Sequence, residues 1–317
     1  MFSLAYTISE ELQHELSHCE SLKRQILLTS LGPKTELKLR FQSQVIRIAD
    51  LLNFLGFPTS KNDIFPFLAA STSIKTEPAR AVIAIRELQD YLWRTWTASD
   101  KTINSSTLEA IADLAPEKVK ASLRLYLRKL DKPLNQLLDY LQIQHESPII
   151  LAGVAFAQVA LVTNAEPVGL FLARLLAYAF LFQGGYDLRG LLILGTGQKK
   201  ELTSLLDILS ETRSRGNATS FLVYFTKQLG SELTRLNMHL SSAPGHLDVP
   251  NSFWDLNRRQ EEILRILDDP SGKITNRDVQ KRFKISQISA SRDLSKLASL
   301  TLIYTHGKGR SVFYTKI

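Results

Sequence analysis

Residues 273–316 read KITNRDVQKRFKISQISASRDLSKLASLTLIYTHGKGRSVFYTK, and this stretch decides how the C-terminal part of the chain folds. Thr275 or Asn276 can cap a short helix running through Phe283, with Val279 and Phe283 on its inner face. Lys284, Ile285 and Ser286 form a turn, and Ser286 is placed to cap a further helix from Gln287 to about Ala298. In that helix Ala290, Leu294 and Leu297 recur at i, i+4 and i+7 and pack inward. Gln287, Ser289, Ser291, Arg292, Ser295 and Lys296 are left facing out. Two β-prone runs follow, Leu302 to Thr305 and Ser311 to Thr315. They are joined by His306-Gly307-Lys308-Gly309-Arg310, where the glycines supply turn conformations and Lys308 and Arg310 project from the tip. Upstream, Leu256, Ile263, Ile266 and Leu267 line one stripe of another helix, which Asp269-Pro270-Ser271-Gly272 ends.

Charge concentrates in the same place. Residues 256–317 hold 13 Lys and Arg against 6 Asp and Glu, whereas the other 255 residues hold 26 against 25. A small basic module is the electrostatic footprint of nucleic-acid binding, because each neutralised phosphate releases counterions. The outward face of the last helix carries suitable chemistry. Gln and Arg pair bidentately with adenine and guanine edges, and Ser contacts bases or phosphates. The reading assigns base contacts to Gln287, Ser291 and Arg292, a further contact to Ser289, and phosphate contacts to Lys296, Lys308 and Arg310.

The runs Ile274-Thr275-Asn276-Arg277-Asp278, Ala290-Ser291-Arg292-Asp293-Leu294 and Gly307-Lys308-Gly309-Arg310-Ser311 resemble the winged helix-turn-helix domains of bacterial regulators. The resemblance implies a DNA-binding module over residues 253–317 with a β-hairpin wing. Single modules of this kind often read half-sites in pairs, so a homodimer is one expected partner besides DNA.

Residues 1–240 are expected to form one large all-α domain, joined to the module by a linker over 241–252 rich in Pro, Gly and Ser. Amphipathic periodicity marks helices at 9–28, 37–55, 77–91, 106–115, 133–144, 199–212 and 219–240. Ile149 to Val162 and Val168 to Phe182 are apolar all round, which suits either a membrane span or the centre of a bundle. Each falls short of the roughly 18–20 residues a span needs, and Gln158 and Arg174 interrupt them, so a buried bundle centre is expected and no membrane partner. Cys19 is the single cysteine and makes no internal disulfide. The N-terminus lacks a basic patch followed by an apolar core, which argues against a signal peptide and for a cytoplasmic protein.

Within the large domain, Ala173-Arg174-Leu175-Leu176-Ala177 and Gln183-Gly184-Gly185-Tyr186-Asp187-Leu188-Arg189-Gly190 resemble the segment after the active-site motif of Fic (Fido-fold) proteins. Ile150 to Ala157 resembles the helix that leads into that motif, and residues 6–9 and 37–60 resemble the family's N-terminal helices. The order of a Fido domain followed by a winged helix recurs in that family. The resemblance implies a fold that usually transfers AMP from ATP to a protein hydroxyl, through a motif His-Pro-Phe-x-Asp/Glu-Gly-Asn-Gly-Arg-x-x-Arg. Its His is the base, its acid holds a metal ion, and its glycine-rich loop cradles phosphates.

Over the matching residues 163–174 this chain departs from the motif. Thr163 stands where the resemblance implies the catalytic His, Pro167 where it implies the metal-binding acid, and Phe171 where it implies the first Arg. Arg174 alone keeps its place, and Glu166 lies one position from the acid. Thr has no pKa near neutrality and is no general base, and Val168, Leu170 and Phe171 would fill the cradle with apolar bulk. Many family members also carry an inhibitory helix whose Glu pairs with the final Arg. The matching Leu51-Leu52-Asn53-Phe54-Leu55-Gly56 has Leu at both signature positions, Leu51 and Leu55. Arg174 is then expected to be a helix-end arginine, solvated or paired locally, or else to lie at a residual anion pocket with Glu166. The hairpin that docks target chains is not recognisable between Ala110 and Pro133.

Other constellations are weaker. Gly195-Thr196-Gly197-Gln198-Lys199-Lys200 lacks Walker spacing and reads as a turn before a helix. His14 and His18 share a helix face, but Cys19 lies off it, so no metal site is assigned. The expectation is a mainly α transcription regulator in which an inactive Fic-like domain acts as an interaction or sensing module, with no catalytic residue and no cofactor. Two alternatives stand beside it: AMP transfer by a remodelled site, with ATP and magnesium as cofactors, and an antitoxin-like protein-interaction partner.

Overall fold

The computed structural model describes residues 5–57, 59, 63–64, 67–68, 76–195, 199–241, 255–269, 272–300, 302–307 and 311–316. In chain order the helices are α1 (Glu10–Leu28), α2 (Pro33–Phe54), α3 (Glu77–Trp96), α4 (Ser105–Leu114), α5 (Glu117–Lys129), α6 (Asp131–Ile143), α7 (Pro148–Val162), α8 (Pro167–Gln183), α9 (Lys199–Arg215) and α10 (Thr219–Ser241). Then come α11 (Arg258–Ile266), α12 (Asn276–Phe283) and α13 (Gln287–Ser299), followed by β1 (Ile303–His306) and β2 (Phe313–Lys316). Chain contacts divide the protein into two compact units. One comprises residues 1–30, 43–64 and 75–243, the other 31–42, 65–74 and 244–317. Nearly all of the expected linker, 242–252, lies outside the described residues.

The first unit is built around α7 and α8, the two stretches that are apolar on every side. Both are buried along nearly their whole length and pack against each other. Helices α3 and α5 also pack on α8, while α6, α9 and α10 pack on α7, and α1 lies along α10. Gly153 is where α10 comes closest, since a Cβ there would stand 2.7 Å from the Leu222 side chain. Phe156, Phe221 and Phe225 fill the space beside it, with ring centroids 5.8–6.2 Å apart. No described helix is long and apolar enough to cross a membrane.

The expected helices all form, most with one to five residues more at an end. Helix α1 begins where Ser9 accepts the Leu12 amide proton, and Pro148 and Pro167 sit in the first turns of α7 and α8, where a missing N–H costs nothing. The region between Ala110 and Pro133 holds an additional helix, α5. Its apolar residues reach the core only at Val119 and Leu123, so its pattern is mostly that of a basic, solvated surface.

In the second unit, α11, α12 and α13 surround a core of Ile263, Leu267, Ile274, Val279, Ala290, Leu294, Leu297 and Ile303. Capping boxes start α11 at Asn257 and α12 at Thr275, and Ser286 caps α13. Lys284 ends α12 in the left-handed region, with φ 49°. Strands β1 and β2 pair antiparallel in the register Ile303 to Lys316 and His306 to Phe313, one residue later than the sequence suggests for β1. Ile274 adds two backbone hydrogen bonds to Tyr314, of 2.9 and 2.8 Å.

Candidate functional site

The segment aligned with the Fic motif is a tight connection. Helix α7 ends at Val162 and α8 begins at Pro167, so only residues 163–166 join them. Asn164 and Ala165 take the left-handed conformation at φ 54° and 53° to turn the chain. Thr163 is buried, and its hydroxyl donates back to the carbonyls of Val159 at 2.8 Å and Ala160 at 3.2 Å. Its side chain presses against Gly169 so closely that a Cβ there would stand 1.8 Å from Oγ1. The hydroxyl is thus engaged by its own helix. Leu170 and Phe171 point into the core, 3% and 0% exposed.

Glu166 and Arg174 are not brought together. They lie eight positions apart on α8, about 12 Å along the axis at the ordinary helical rise. The exposed Glu166 carboxylate accepts the Tyr126 hydroxyl from α5. Arg174 sits mid-helix and buried, not at a helix end and not solvated. Its Nε lies 3.8 Å from Asp50 Oδ2 on α2, and its Nη1 donates to the Leu194 carbonyl. The guanidinium also stacks over the rings of Phe54, at 4.9 Å, and Phe156, at 5.8 Å, and it crosses the backbone of Gly195. The partner is therefore long-range in sequence, directly before Leu51 and five residues before Leu55. A carboxylate flanked by Ile48, Ala49, Leu51 and Leu52 was the available signal for it.

Burial pushes the Asp50 carboxyl up to about 6, against the pull of Arg174 in the other direction. The cavity beside the pair measures about 60 Å³, and Asn53, Phe54, Glu201, Tyr224 and Gln228 help line it. Small-molecule clefts run to roughly 300–1,000 Å³, so this space suits a few waters and not a nucleotide. Residues 196–198 of the glycine-containing turn lie outside the described residues, and α9 begins at Lys199. Among the described residues no group of three His, Cys, Asp or Glu side chains could hold a metal ion.

The second candidate site is the outer face of α13. Gln287, Ser291 and Arg292 are exposed, and the Arg292 guanidinium has no hydrogen-bond or ion-pair partner among the described residues. Ser289 is half-buried, and its hydroxyl pairs with that of Ser286 at 3.1 Å. Ser291 accepts a 2.8 Å bond from the Asn276 amide, which ties α12 to α13. Lys296 is half-buried, and its ammonium donates to the Asp255 carbonyl at 2.7 Å. Lys308 and Arg310 lie outside the described residues. Asp293 is buried at the back of the same helix. It accepts from Asn257 at 3.2 Å and Gln260 at 2.8 Å, and pairs with Arg259 at 2.9 Å. Spacing alone does not disclose this network, because Asn257 and Gln260 double as the capping box of α11.

The fold of the chain is similar to that of a solved Fic family protein. A crystal structure of a Fic family protein from Desulfovibrio desulfuricans G20 matches this chain with a TM-score of 0.53 and 11% sequence identity, over 100% of this chain and 98% of that one. No family model matches the sequence. No curated protein matches it either. At that identity the likeness concerns the fold.

Proposed function

We propose that the chain is a DNA-binding transcription regulator, in which residues 255–316 form a winged helix-turn-helix and the larger helical unit is a Fic-type body without nucleotide-transfer chemistry. The observation that carries this reading is the solvent-facing Gln287 and Arg292 on α13, within a segment that holds most of the chain's excess positive charge. Helix α12, the turn at 284–286 and α13 form the helix-turn-helix, with β1 and β2 as the wing. Asn276 and Asp293 fix α13 from its two sides, so its outer face is preorganised for a groove.

In the body, Thr163 supplies no base, Leu170 and Phe171 occupy the phosphate cradle, and Asp50 neutralises Arg174. A unit with these features serves for interaction or sensing. The test is selection of duplexes from a random library by the full-length chain. Enrichment of one sequence, with discrimination lost in Arg292→Ala, is the expected result. Recovery of no sequence, or unchanged discrimination in Arg292→Ala, contradicts it.

A second reading, AMP transfer to a protein hydroxyl, is favoured by the fold of the Fic family neighbour. Against it stand the separation of Glu166 from Arg174 and the small size of the cavity at Arg174.

A further inference from the structure

Ile288 is an isoleucine left in water on a helix whose core contacts are already complete. It is 66% exposed, while Ala290, Leu294 and Leu297 of the same helix are fully buried. It is the second residue of α13, in the turn that Ser286 caps by accepting the Ser289 amide proton. Residues three and four apart share a helix face, so Ile288 shares one with Ser291 and Arg292, and Ser295 lies one turn further along it. Isoleucine is a weaker helix former than Arg, Lys, Gln or Glu because its branched Cβ restricts χ1. Its side chain takes no part in the core packing of α13.

We propose that Ile288 is a specificity-determining residue that packs against the C5-methyl group of a thymine in the major groove. The inference rests on the DNA-binding reading above and goes one step further, to the base that is read. The surroundings of Ile288 are hydroxyls and a guanidinium, on a segment with 13 basic against 6 acidic residues. Charge complementarity therefore calls for a polyanionic occupant and leaves a single apolar point within it. The thymine methyl is the apolar group that the major groove of DNA presents, next to acceptors that Gln287, Ser291 and Arg292 can reach.

The test uses the full-length chain and a duplex selected by it from a random library. Each thymine is replaced in turn by deoxyuridine, which removes the methyl group and leaves the hydrogen-bonding edges unchanged. At one thymine per half-site, wild-type binding is expected to fall about fourfold, the fold-change equivalent to roughly 0.8 kcal/mol for one buried methyl. Ile288→Ala should bind the thymine and deoxyuridine duplexes equally, and Ile288→Val should keep part of the difference. Because Ile288 lies outside the core, both variants should unfold at the wild-type temperature, which separates a contact from a folding defect. If a duplex is selected but no deoxyuridine weakens binding, or Ile288→Ala keeps the difference, the Ile288 contact is wrong and DNA binding stands. If no duplex is selected, both fail together.

Discussion

Arg174 on α8 and Asp50 on α2 face each other at 3.8 Å inside the helical body, with side chains 10% and 0% exposed. Neither Asp50 oxygen has a hydrogen-bond partner among the described residues, and the Arg174 Nε has none either. Burial therefore outweighs attraction for the carboxylate, and that balance is measurable.

The Asp50 carboxyl stands at about 6 in the fold, where burial raises it and Arg174 lowers it. In the unfolded chain it returns to about 3.9. A raised folded value means the native chain keeps a proton that the unfolded chain has released. The stability from this group is thus complete below about pH 4 and is lost as pH rises through about 6. Burial pushes Asp90 the same way, to about 6, against Arg86, Arg94 and Arg47. Urea unfolding between pH 4.5 and 7.5 should show a decline for wild type and a shallower one for Asp50→Asn. Identical slopes would contradict the assignment.

Replacing Arg174 with Met removes the cation and leaves the buried carboxylate alone. The expected loss is about 3 kcal/mol at pH 8, where Asp50 is ionised. At pH 4.5, where Asp50 is protonated in both proteins, the loss should shrink to the packing over Phe54 and Phe156 and the bond to the Leu194 carbonyl. The double variant Asp50→Asn, Arg174→Met should recover much of the stability at pH 8, which a purely steric defect would not allow.

Asp293 is expected to hold α13 in place without touching DNA. Asp293→Ala leaves Asn257, Gln260 and Arg259 without their shared acceptor. The cost should be about 2–3 kcal/mol. Hydrogen exchange on the full chain should speed up across 258–300 and leave 148–183 unchanged. Uniform acceleration would mean the network does not act locally.

Calorimetry with ATP and magnesium should give no binding heat for wild type or for Arg174→Ala. The cavity beside Arg174 is small, and the guanidinium already lies against Asp50. Binding by wild type that disappears in Arg174→Ala would revive nucleotide transfer or sensing.

The sequence disclosed what depends on local pattern. The caps at Thr275 and Ser286, the inward Ala290, Leu294 and Leu297, and the two apolar central helices all follow from spacing and capping chemistry. Helix α5 escaped notice because only Val119 and Leu123 of its apolar residues are buried. The partner of Arg174 was hidden because it lies 124 positions away on α2, where tertiary packing and not periodicity brings it close. Ile288 was passed over because a search for hydrogen-bonding side chains on the outward face ignores an apolar residue among them.

Gripping duplex DNA through the basic side chains of residues 255–316, as proposed, makes affinity fall with added salt. Fluorescence anisotropy of the full-length chain on a labelled duplex, followed from about 50 to 200 mM salt, should give a linear fall of log affinity with log salt. The expected slope is about −3.6 to −4.5, equivalent to some four or five neutralised phosphates, and shallower in Arg292→Ala. A slope near zero, or no binding at the lowest salt, would contradict the claim and leave the basic segment as a surface for another partner.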